Sequence, residues 1–348
     1  MARNATNETL REAKRAKKDE FYTVLSDIEK ELKHYKKHFK GKVVLCNCDD
    51  PRVSNFFRYF LNNFEKLGLK ELITTCYQND KPDLFRQHKS DRGVYFKYCG
   101  EQKGKRLPDP SRIKPQDLTG DGDFRSEECI GLLKEADVVV TNPPFSLFRE
   151  YVGQLVEHDK KFLTIGTWNA ITYKEVFTLI KEDEVWIGIN SNRNFSGFIV
   201  PDHYELHGTE ARVDEDGNRI VSSNNTCWFT NLDNVKRHEE LVLYETYDNT
   251  RYLHYDNYDA IEVSQTRRIP MDYPGVMAVP ITFLDKYNSK QFEILGITDR
   301  ANSSGLRTRK YDKTEFANAN DLNARGVIKV NGEYKAMYAR LLIKRRNA

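Results

Sequence analysis

The sequence contains no long uninterrupted apolar run, and its first twenty residues lack the apolar core of a secretory signal. The first absence argues against a membrane-spanning helix, and the second argues against export. Cysteine is also scarce, because the 348 residues include only six, none in a CxxC pair. Such spacing does not make a disulfide scaffold, so we expect a cytoplasmic protein.

Charge is distributed unevenly along the chain. The net charge is only +3, but residues 1–42 carry +5 and residues 301–348 carry +7, around a middle of −9. Basic terminal segments suit the phosphate backbone of a nucleic acid, although a solvated surface explains them slightly better when charge is considered alone. The length predicts two domains, or one large domain with an extension.

One β-α-β unit is predicted near the start of the chain. The segment 43–48 (VVLCNC) is apolar on both faces, as a buried parallel strand is. Asp50 before Pro51 predicts a helix N-cap with proline in the first turn, and this helix continues to Gly68. The segment 71–77 (ELITTCY) predicts the second strand.

Helices and strands alternate on both sides of an irregular stretch. Residues 25–38 predict a helix from their apolar spacing. Residues 78–117 are interpreted as an insertion around one short strand at 94–99. Alternation then resumes in the helices 126–135, 146–157 and 173–182 and the strands 136–141, 161–166 and 184–189. This rhythm predicts a doubly wound α/β sheet.

The pattern changes after residue 190. Asn, Ser, Gly, Asp and Tyr become frequent, and the segments 226–232 and 240–247 predict short strands. A turn is predicted at 214–218 (DEDGN). We therefore expect a second, smaller region that is mostly β and rich in loops.

Asn142-Pro143-Pro144-Phe145 directly follows the predicted strand 136–141. A loop at the carboxyl end of such a strand faces the ligand site of an open α/β sheet. Two prolines fix the backbone and remove two donors, which leaves the Asn142 side-chain oxygen and the Pro143 carbonyl as acceptors. Two acceptors beside an aromatic ring suit a planar group with an amine. A structural turn would explain Asn-Pro alone. The position of the whole tetrapeptide directly after a strand favours a catalytic loop.

Nine segments, one of which contains NPPF, resemble a single family, the EcoRI-type modification methylases. These are adenine-specific DNA methyltransferases that use S-adenosylmethionine. The segments are DEFYT (19–23), CNCDDPRVSNFF (46–57), GDGDFRSEE (120–128), VVTNPPFSLFREY (139–151), ITYKEVF (171–177), SGFIVPDHYELHGTEAR (196–212), YDNYDAI (255–261), VPITFLDKYN (279–288) and YARLLI (338–343). The resemblance covers most of the chain and is weakest in 78–117 and 299–330. It implies a Rossmann-like methyltransferase sheet with a target-recognition region.

The resemblance also implies roles for individual residues. The tetrapeptide Asn142, Pro143, Pro144 and Phe145 would hold a flipped adenine. The residues placed beside the cofactor are Tyr22 and Thr23 at its methionine part, Asn47, Asp49 and Asp50 after the first strand, and Asp123 and Phe124 at its adenine. The loop after the first strand lacks the usual glycines, and Cys76 and Tyr77 stand where an acidic residue usually ends the second strand. The family shares both departures.

Other chemistries have weaker support. Cys46-x-Cys48 has no partner pair, and His203 and His207 have no third ligand, so we expect no metal. Cytosine ring-carbon methylation usually needs a nucleophilic cysteine after proline, and no cysteine here follows proline.

Double-stranded DNA is the expected substrate, read by the region after residue 190. Arginine prefers guanine and asparagine prefers adenine, so the candidate base-reading residues are Asn190, Asn192, Arg193, Asn194 and Arg212. A solvated loop position explains each of them better when it is considered alone. The alternatives are methylation of adenine in RNA or of glutamine in a protein, or a degenerate methyltransferase fold that only binds DNA.

The predicted division of the chain has three parts. Residues 1–42 form a basic N-terminal segment that contains the DEFYT motif. Residues 43–189 form the cofactor-binding catalytic domain, with the insertion 78–117. Residues 190–348 form the target-recognition region and a basic C-terminal segment. We expect a monomer without a membrane contact. It is either the modification half of a restriction-modification system, whose endonuclease recognises the same palindrome, such as GAATTC, and forms no stable complex with it, or a stand-alone or phage enzyme.

Overall fold

A computed structural model of the chain describes residues 22–48, 54–76, 93–102, 104, 108–191, 195–200, 211–214, 217–222, 225–299 and 305–346. The contacts between residues divide the chain into two compact units. The first comprises Met1–Thr167 and Gly188–Leu232, and the second comprises Trp168–Ile187 and Asp233–Ala348.

The first unit contains a large mixed sheet and a smaller antiparallel sheet. Its strands are β1 (Tyr22–Thr23), β2 (Val43–Cys46), β3 (Glu71–Cys76), β4 (Val94–Tyr98), β5 (Gln116–Asp117), β6 (Val138–Thr141), β7 (Lys161–Thr167), β8 (Trp186–Ser191, from Gly188 onward), β9 (Phe198–Val200), β10 (Ala211–Val213), β11 (Arg219–Val221) and β12 (Thr226–Thr230). Eight of them pair in the order β5-β4-β3-β2-β6-β7-β12-β8. The centre, β3-β2-β6-β7, is parallel, whereas β4, β5 and β12 each run antiparallel to a neighbour.

The parallel centre follows from the sequence of its strands. All four residues of β2 (VVLC) and of β6 (VVVT) are buried. A strand with apolar residues on both faces is stable only where both faces of the sheet are covered. The predicted β-branched runs therefore occupy the middle of the sheet.

Helices α1 (Leu25–Leu32), α2 (Asn55–Asn62), α3 (Phe64–Leu67), α4 (Glu127–Glu135) and α5 (Phe148–Glu157) belong to the first unit, and α6 (Lys174–Lys181) and α7 (Ala319–Leu322) to the second. The side chain of Ser126 caps α4 by accepting from the amide of Cys129. Within the ranges given above, no helix combines the length and apolar character needed to cross a bilayer.

Gly166 of β7 lets α5 lie close to the sheet. A Cβ atom at this position would stand 2.6 Å from the ring of Phe148 and 2.9 Å from that of Phe229. The two rings contact each other with centroids 5.0 Å apart. Because α5 begins at Phe148, this close approach fixes the helix that follows the loop 142–145.

A second sheet in the first unit pairs the N-terminal strand with segments after residue 190. Its order is β1-β9-β11-β10, and all pairs are antiparallel. Thr23 lies opposite Phe198. The turn predicted at 214–218 is confirmed, since the amide of Asp214 donates to the carbonyl of Asn218 at 3.0 Å between β10 and β11.

The second unit contains the strands β13 (Ile261–Glu262), β14 (Met277–Pro280), β15 (Phe292–Ile297), β16 (Val327–Val330), β17 (Glu333–Ala336) and β18 (Arg340–Arg345). Four of them form a sheet in the order β13-β14-β18-β15, and β16 and β17 form a separate hairpin. Met277, Ala278 and Val279 of β14 are fully buried, as are Leu341 and Ile343 of β18. The core of the second unit is therefore centred on β14 and β18.

The helix predicted over 25–38 is wrong beyond Leu32. The amides of His34 and Tyr35 donate to carbonyls three residues back, at 3.1 and 3.0 Å, and a separate 3-10 helix spans Lys36–His38. Bonds of this kind tighten the last turn of a helix. The tightened turn keeps the ring of Tyr35 buried.

The helix start predicted at Asp50 is also wrong. Helix α2 begins at Asn55, and Ser54 caps it by accepting from a backbone amide at 3.3 Å. The helix is then interrupted at Asn63, whose side chain donates to the carbonyl of Tyr59 at 2.8 Å. Asparagine side chains compete with the helical backbone in this way.

Two predicted strands join the main sheet, and a third predicted strand is not formed. Segment 94–99 forms β4, which pairs with β3 within the main sheet. Segment 226–232 forms β12, which also joins the main sheet, between β7 and β8. Segment 240–247 is not a strand, because only one bridge at Glu245 is formed and the side chain of Gln291 pairs with the backbone of Leu241.

Candidate active site

The loops after β2 and β6 lie at the same edge of the main sheet, because these neighbouring strands are parallel. Asn47 follows β2, and Asn142 follows β6. The Thr141 hydroxyl, at the end of β6, donates to the carbonyl of Asn47. The predicted catalytic loop and the first predicted cofactor loop are therefore joined directly.

The tetrapeptide leaves its strand without regular secondary structure and then turns. Asn142 is 8% exposed. Phe145 begins a 3-10 turn in which the amide of Leu147 donates to the carbonyl of Pro144 at 3.0 Å. The half-buried Phe145 ring meets the ring of Phe198 edge-to-face, with centroids 5.8 Å apart. The aromatic residue of the loop is thus held by β9 rather than left free.

Tyr151 of α5 connects two of the predicted cofactor segments. Its hydroxyl donates to the side-chain oxygen of Asn47, and its ring meets that of Phe124 edge-to-face at 5.1 Å. Tyr151 is fully buried, and this burial raises its pKa well above the ordinary value, so it remains a neutral donor. Tyr151 is not among the residues predicted from the sequence, because its helical position is equally typical of a core aromatic residue.

Asp123 is neutralised by Arg125, which is also not among the residues predicted from the sequence. Arg125 donates to its carboxylate from Nε at 2.9 Å and from Nη2 at 2.6 Å. These hydrogen bonds raise the pKa of Arg125. The guanidinium lies 5.4 Å from the centroid of Phe124, whose carbonyl accepts from the side chain of Gln154 at 3.1 Å. The pair Asp123-Arg125 therefore orders the loop that presents Phe124.

Tyr22 and Thr23 lie in β1, and both are buried. The carbonyl of Thr23 accepts from the side chain of Asn55 at 2.8 Å, at the start of α2. The Thr23 hydroxyl is buried and has no hydrogen-bond partner among the residues that the structure describes. A buried polar atom of this kind is expected to have a partner, so its position suits a polar group of a ligand.

Two of the predicted cofactor residues, Asp49 and Asp50, lie outside the described residues. The side chains that the structure does describe suit a cofactor with polar and aromatic parts: the hydroxyl of Thr23, the amide of Asn47 and the ring of Phe124. Across the described ranges, no cluster of three or more His, Cys, Asp or Glu side chains could hold a metal ion. His203 and His207 are outside these ranges.

The predicted base-reading residues have different environments. The side-chain amide nitrogen of Asn190 donates two hydrogen bonds within the protein, to the carbonyl of Lys30 at 3.0 Å and to the carboxylate of Glu31 at 2.9 Å. Arg212 is exposed on β10, and its guanidinium donates to the carbonyl of Ser196 at 3.2 Å. Asn192, Arg193 and Asn194 lie outside the described residues.

Comparison with known proteins gives matches along most of the chain. The profile of the family described as adenine-specific methyltransferase EcoRI matches residues 9–346. The chain is 57% identical to the Type II methyltransferase M.EcoRI of Escherichia coli over 297 residues, which cover 85% of this chain and 90% of the relative. It is 36% identical to M.MgeORF184P of Mycoplasma genitalium and to M.MpnI of Mycoplasma pneumoniae, in each case over 96% of this chain and 97% of the relative.

No solved structure gives a significant match to the chain. The family profile covers almost the whole chain, and three relatives of 36% identity or more each cover at least 85% of it. The chain therefore belongs to the EcoRI adenine-specific methyltransferase family, whose methyl donor is S-adenosylmethionine.

Proposed function

We propose that this adenine-specific DNA methyltransferase acts on an adenine that has left the duplex, at a palindrome such as GAATTC. The observation that carries the proposal is the NPPF loop at the end of β6, tied through Thr141 to the segment after β2. A base inside a duplex cannot reach such a loop, so the target adenine must be extruded. The recognition sequence is that expected from the resemblance to the EcoRI-type enzymes.

Asn142 and Pro143 act on the amine of the flipped base. The exocyclic nitrogen of adenine is a poor nucleophile, because its lone pair is delocalised into the ring. Two accepted hydrogen bonds, to the Asn142 side chain and the Pro143 carbonyl, draw the nitrogen toward tetrahedral geometry and localise that lone pair. S-adenosylmethionine supplies an electrophilic methyl group when it is bound. The contribution of the protein is positioning and electrostatics, since the amine proton becomes acidic only after transfer.

Phe145 covers the face of the adenine and keeps the base out of the stack. Its contact with Phe198 limits the directions in which the ring can turn. A fixed ring loses little conformational freedom when a base stacks on it. The proposed role of Phe145 is therefore to hold the extruded base, whereas Asn142 acts on the reacting atom.

The remaining residues are assigned by the segments that contain them. Thr23, Asn47 and Phe124 would bind S-adenosylmethionine at the edge of a Rossmann-like parallel core, together with Tyr22, Asp49, Asp50 and Asp123. We propose that residues 43–189 serve cofactor binding and catalysis and that 190–348 serve target recognition, with Arg212 exposed for contact with DNA. Asn190 is better explained as a structural residue.

Methyl transfer from labelled S-adenosylmethionine tests the proposal. The substrates are a duplex containing GAATTC, the same duplex with the adenines replaced by 2-aminopurine, and an unrelated duplex. We expect label only in the first, and a rise in 2-aminopurine fluorescence when enzyme binds the second. Label in none of the duplexes, but in RNA or protein supplied in parallel reactions, would instead support the alternative substrates, and DNA binding without any transfer would support a degenerate fold.

A further inference from the structure

The hairpin formed by β16 and β17 ends in a tight, exposed turn. The strands pair from Val327 opposite Ala336 to Val330 opposite Glu333. Asn331 and Gly332 connect them with φ values of 50° and 86°, the left-handed pair that a type I′ turn requires. Residues 329–333 are all exposed. The hairpin therefore carries a short, well-defined tip.

The other end of the hairpin is firmly anchored within the second unit. Val327 is fully buried, and its amide donates to the side chain of Asn257 at 2.8 Å while its carbonyl accepts from Asp256 at 2.8 Å. A Cβ atom at Gly326 would lie 2.4 Å from the ring of Tyr255, so the base of the hairpin packs closely. An anchored ribbon can meet a partner with little loss of conformational freedom.

The cations of this hairpin are not neutralised by carboxylates. Neither Lys329 nor Lys335 forms an ion pair with a carboxylate of the described residues, and the same holds for Arg325 at the base. Lys329 instead lies 5.2 Å from the ring centroid of Tyr334. An aromatic face attracts a cation without cancelling its charge. Glu333 is the acidic residue of the tip.

The two lysines project from opposite faces of the hairpin. Lys329 lies opposite Tyr334, whereas Lys335 lies opposite Ile328, and consecutive residues of a strand point to opposite faces. A ribbon that enters a groove tip-first passes between two phosphate backbones. The cation on each face would then contact one of the two phosphate backbones.

We propose that the β16–β17 hairpin is a DNA-contacting element that enters the major groove, with Lys329 and Lys335 binding phosphates on its two walls. The inference rests on the proposed function, because it takes duplex DNA as the partner. The major groove, about 12 Å wide, admits a two-stranded β-ribbon. The lysines supply affinity rather than sequence preference, since phosphate contacts are independent of base identity.

The salt dependence of DNA binding tests this role in the full-length protein. Each phosphate contact contributes about 0.9 to the slope of log K against log salt, so Lys329→Ala/Lys335→Ala should lower the slope by roughly 1.8. Lys329→Arg/Lys335→Arg should retain the wild-type slope. The matched control is Lys66→Ala/Lys70→Ala, which removes two exposed lysines at the amino end of β3, away from the NPPF edge.

The outcomes separate this proposal from the proposed function. An unchanged slope, or an equal fall in the control, would overturn the hairpin assignment even if the wild type methylates GAATTC. Loss of site preference in the alanine variant would contradict a role confined to phosphates. If the wild type does not methylate DNA at all, the proposed function fails first. Melting temperature is measured for every variant, so that misfolding is not taken for lost contact.

Discussion

The buried carboxylate of Glu31 accepts hydrogen bonds from both the backbone amide and the side-chain amide of Asn190, at 2.7 and 2.9 Å. The amide of Ile189 donates to the same carboxylate at 2.7 Å. One turn earlier on α1, Asp27 accepts from the backbone and hydroxyl of Ser196, at 2.6 and 2.7 Å. Two carboxylates of one helix thus hold both described flanks of residues 192–194.

Replacing Glu31 by glutamine tests this arrangement. The side chain keeps its size, but one carboxylate oxygen becomes an NH2 group that faces backbone donors. A buried donor left without an acceptor costs about 1–3 kcal/mol, so we expect the free energy of unfolding to fall by that amount. Urea denaturation gives the value. The exposed Glu29→Gln, on the same helix, is the control and should change stability little; equal stabilities for both variants would contradict the prediction.

Thr23→Val should separate cofactor binding from folding. The hydroxyl is buried without a partner among the described residues, so its removal should leave the stability of the free protein unchanged or slightly higher. Binding of S-adenosylmethionine should weaken if this hydroxyl contacts it. The measurement is the rise in melting temperature at saturating cofactor, which follows mass action. An undiminished rise would exclude Thr23 from the cofactor site.

Tyr151→Phe removes one hydroxyl and retains the ring against Phe124. The side-chain oxygen of Asn47 then loses its donor, and we expect cofactor affinity to fall about tenfold, the equivalent of ~1.4 kcal/mol. Calorimetric titration with S-adenosylhomocysteine measures this affinity. Tyr95→Phe on β4, which removes a hydroxyl that donates to the side chain of Gln116 on β5, is the control. A loss of stability with normal cofactor affinity would mean that Tyr151 serves packing alone.

Asn142 and Phe145 should differ in what they contribute to turnover. Asn142→Ala removes an acceptor of the reacting amine, and we expect single-turnover methylation to slow by about 10²–10³ while DNA and cofactor still bind. Phe145→Ala should weaken capture of the flipped base by roughly 1–3 kcal/mol, and Phe145→Trp should restore much of it. Stable Asn142→Ala protein with near-normal turnover would contradict the catalytic role.

Local sequence signals predict single elements such as β6, whereas they do not identify long-range partners. The strand before Asn142 was identified from its β-branched run, and its position follows from chain order. The pairing of Glu31 with Asn190 joins residues 159 positions apart, and no pattern in the sequence indicates it. Similarly, Ser54 and Asp50 are both good N-caps, and only packing selects between them.

The assignment of β12 to the main sheet was missed for a related reason. Residues 226–230 are apolar and β-branched, which predicts a strand without naming its neighbour. The neighbour is β7, more than fifty residues earlier, with Trp228 opposite Ile165. Pairing partners of this kind depend on the fold as a whole, so a periodicity argument cannot supply them.

The adjacency of β8 and β12 has an evolutionary consequence. The chain leaves the sheet at Ser191 and returns at Thr226 on the neighbouring strand, so residues 192–225 form a closed excursion. Loop closure becomes only slowly more costly with length. Such an excursion can be lengthened, shortened or exchanged while the catalytic scaffold keeps its architecture, provided that β9 still pairs with β1. Under the proposed role of residues 190–348 in target recognition, replacing this excursion would change one part of the recognition region and leave the main sheet intact.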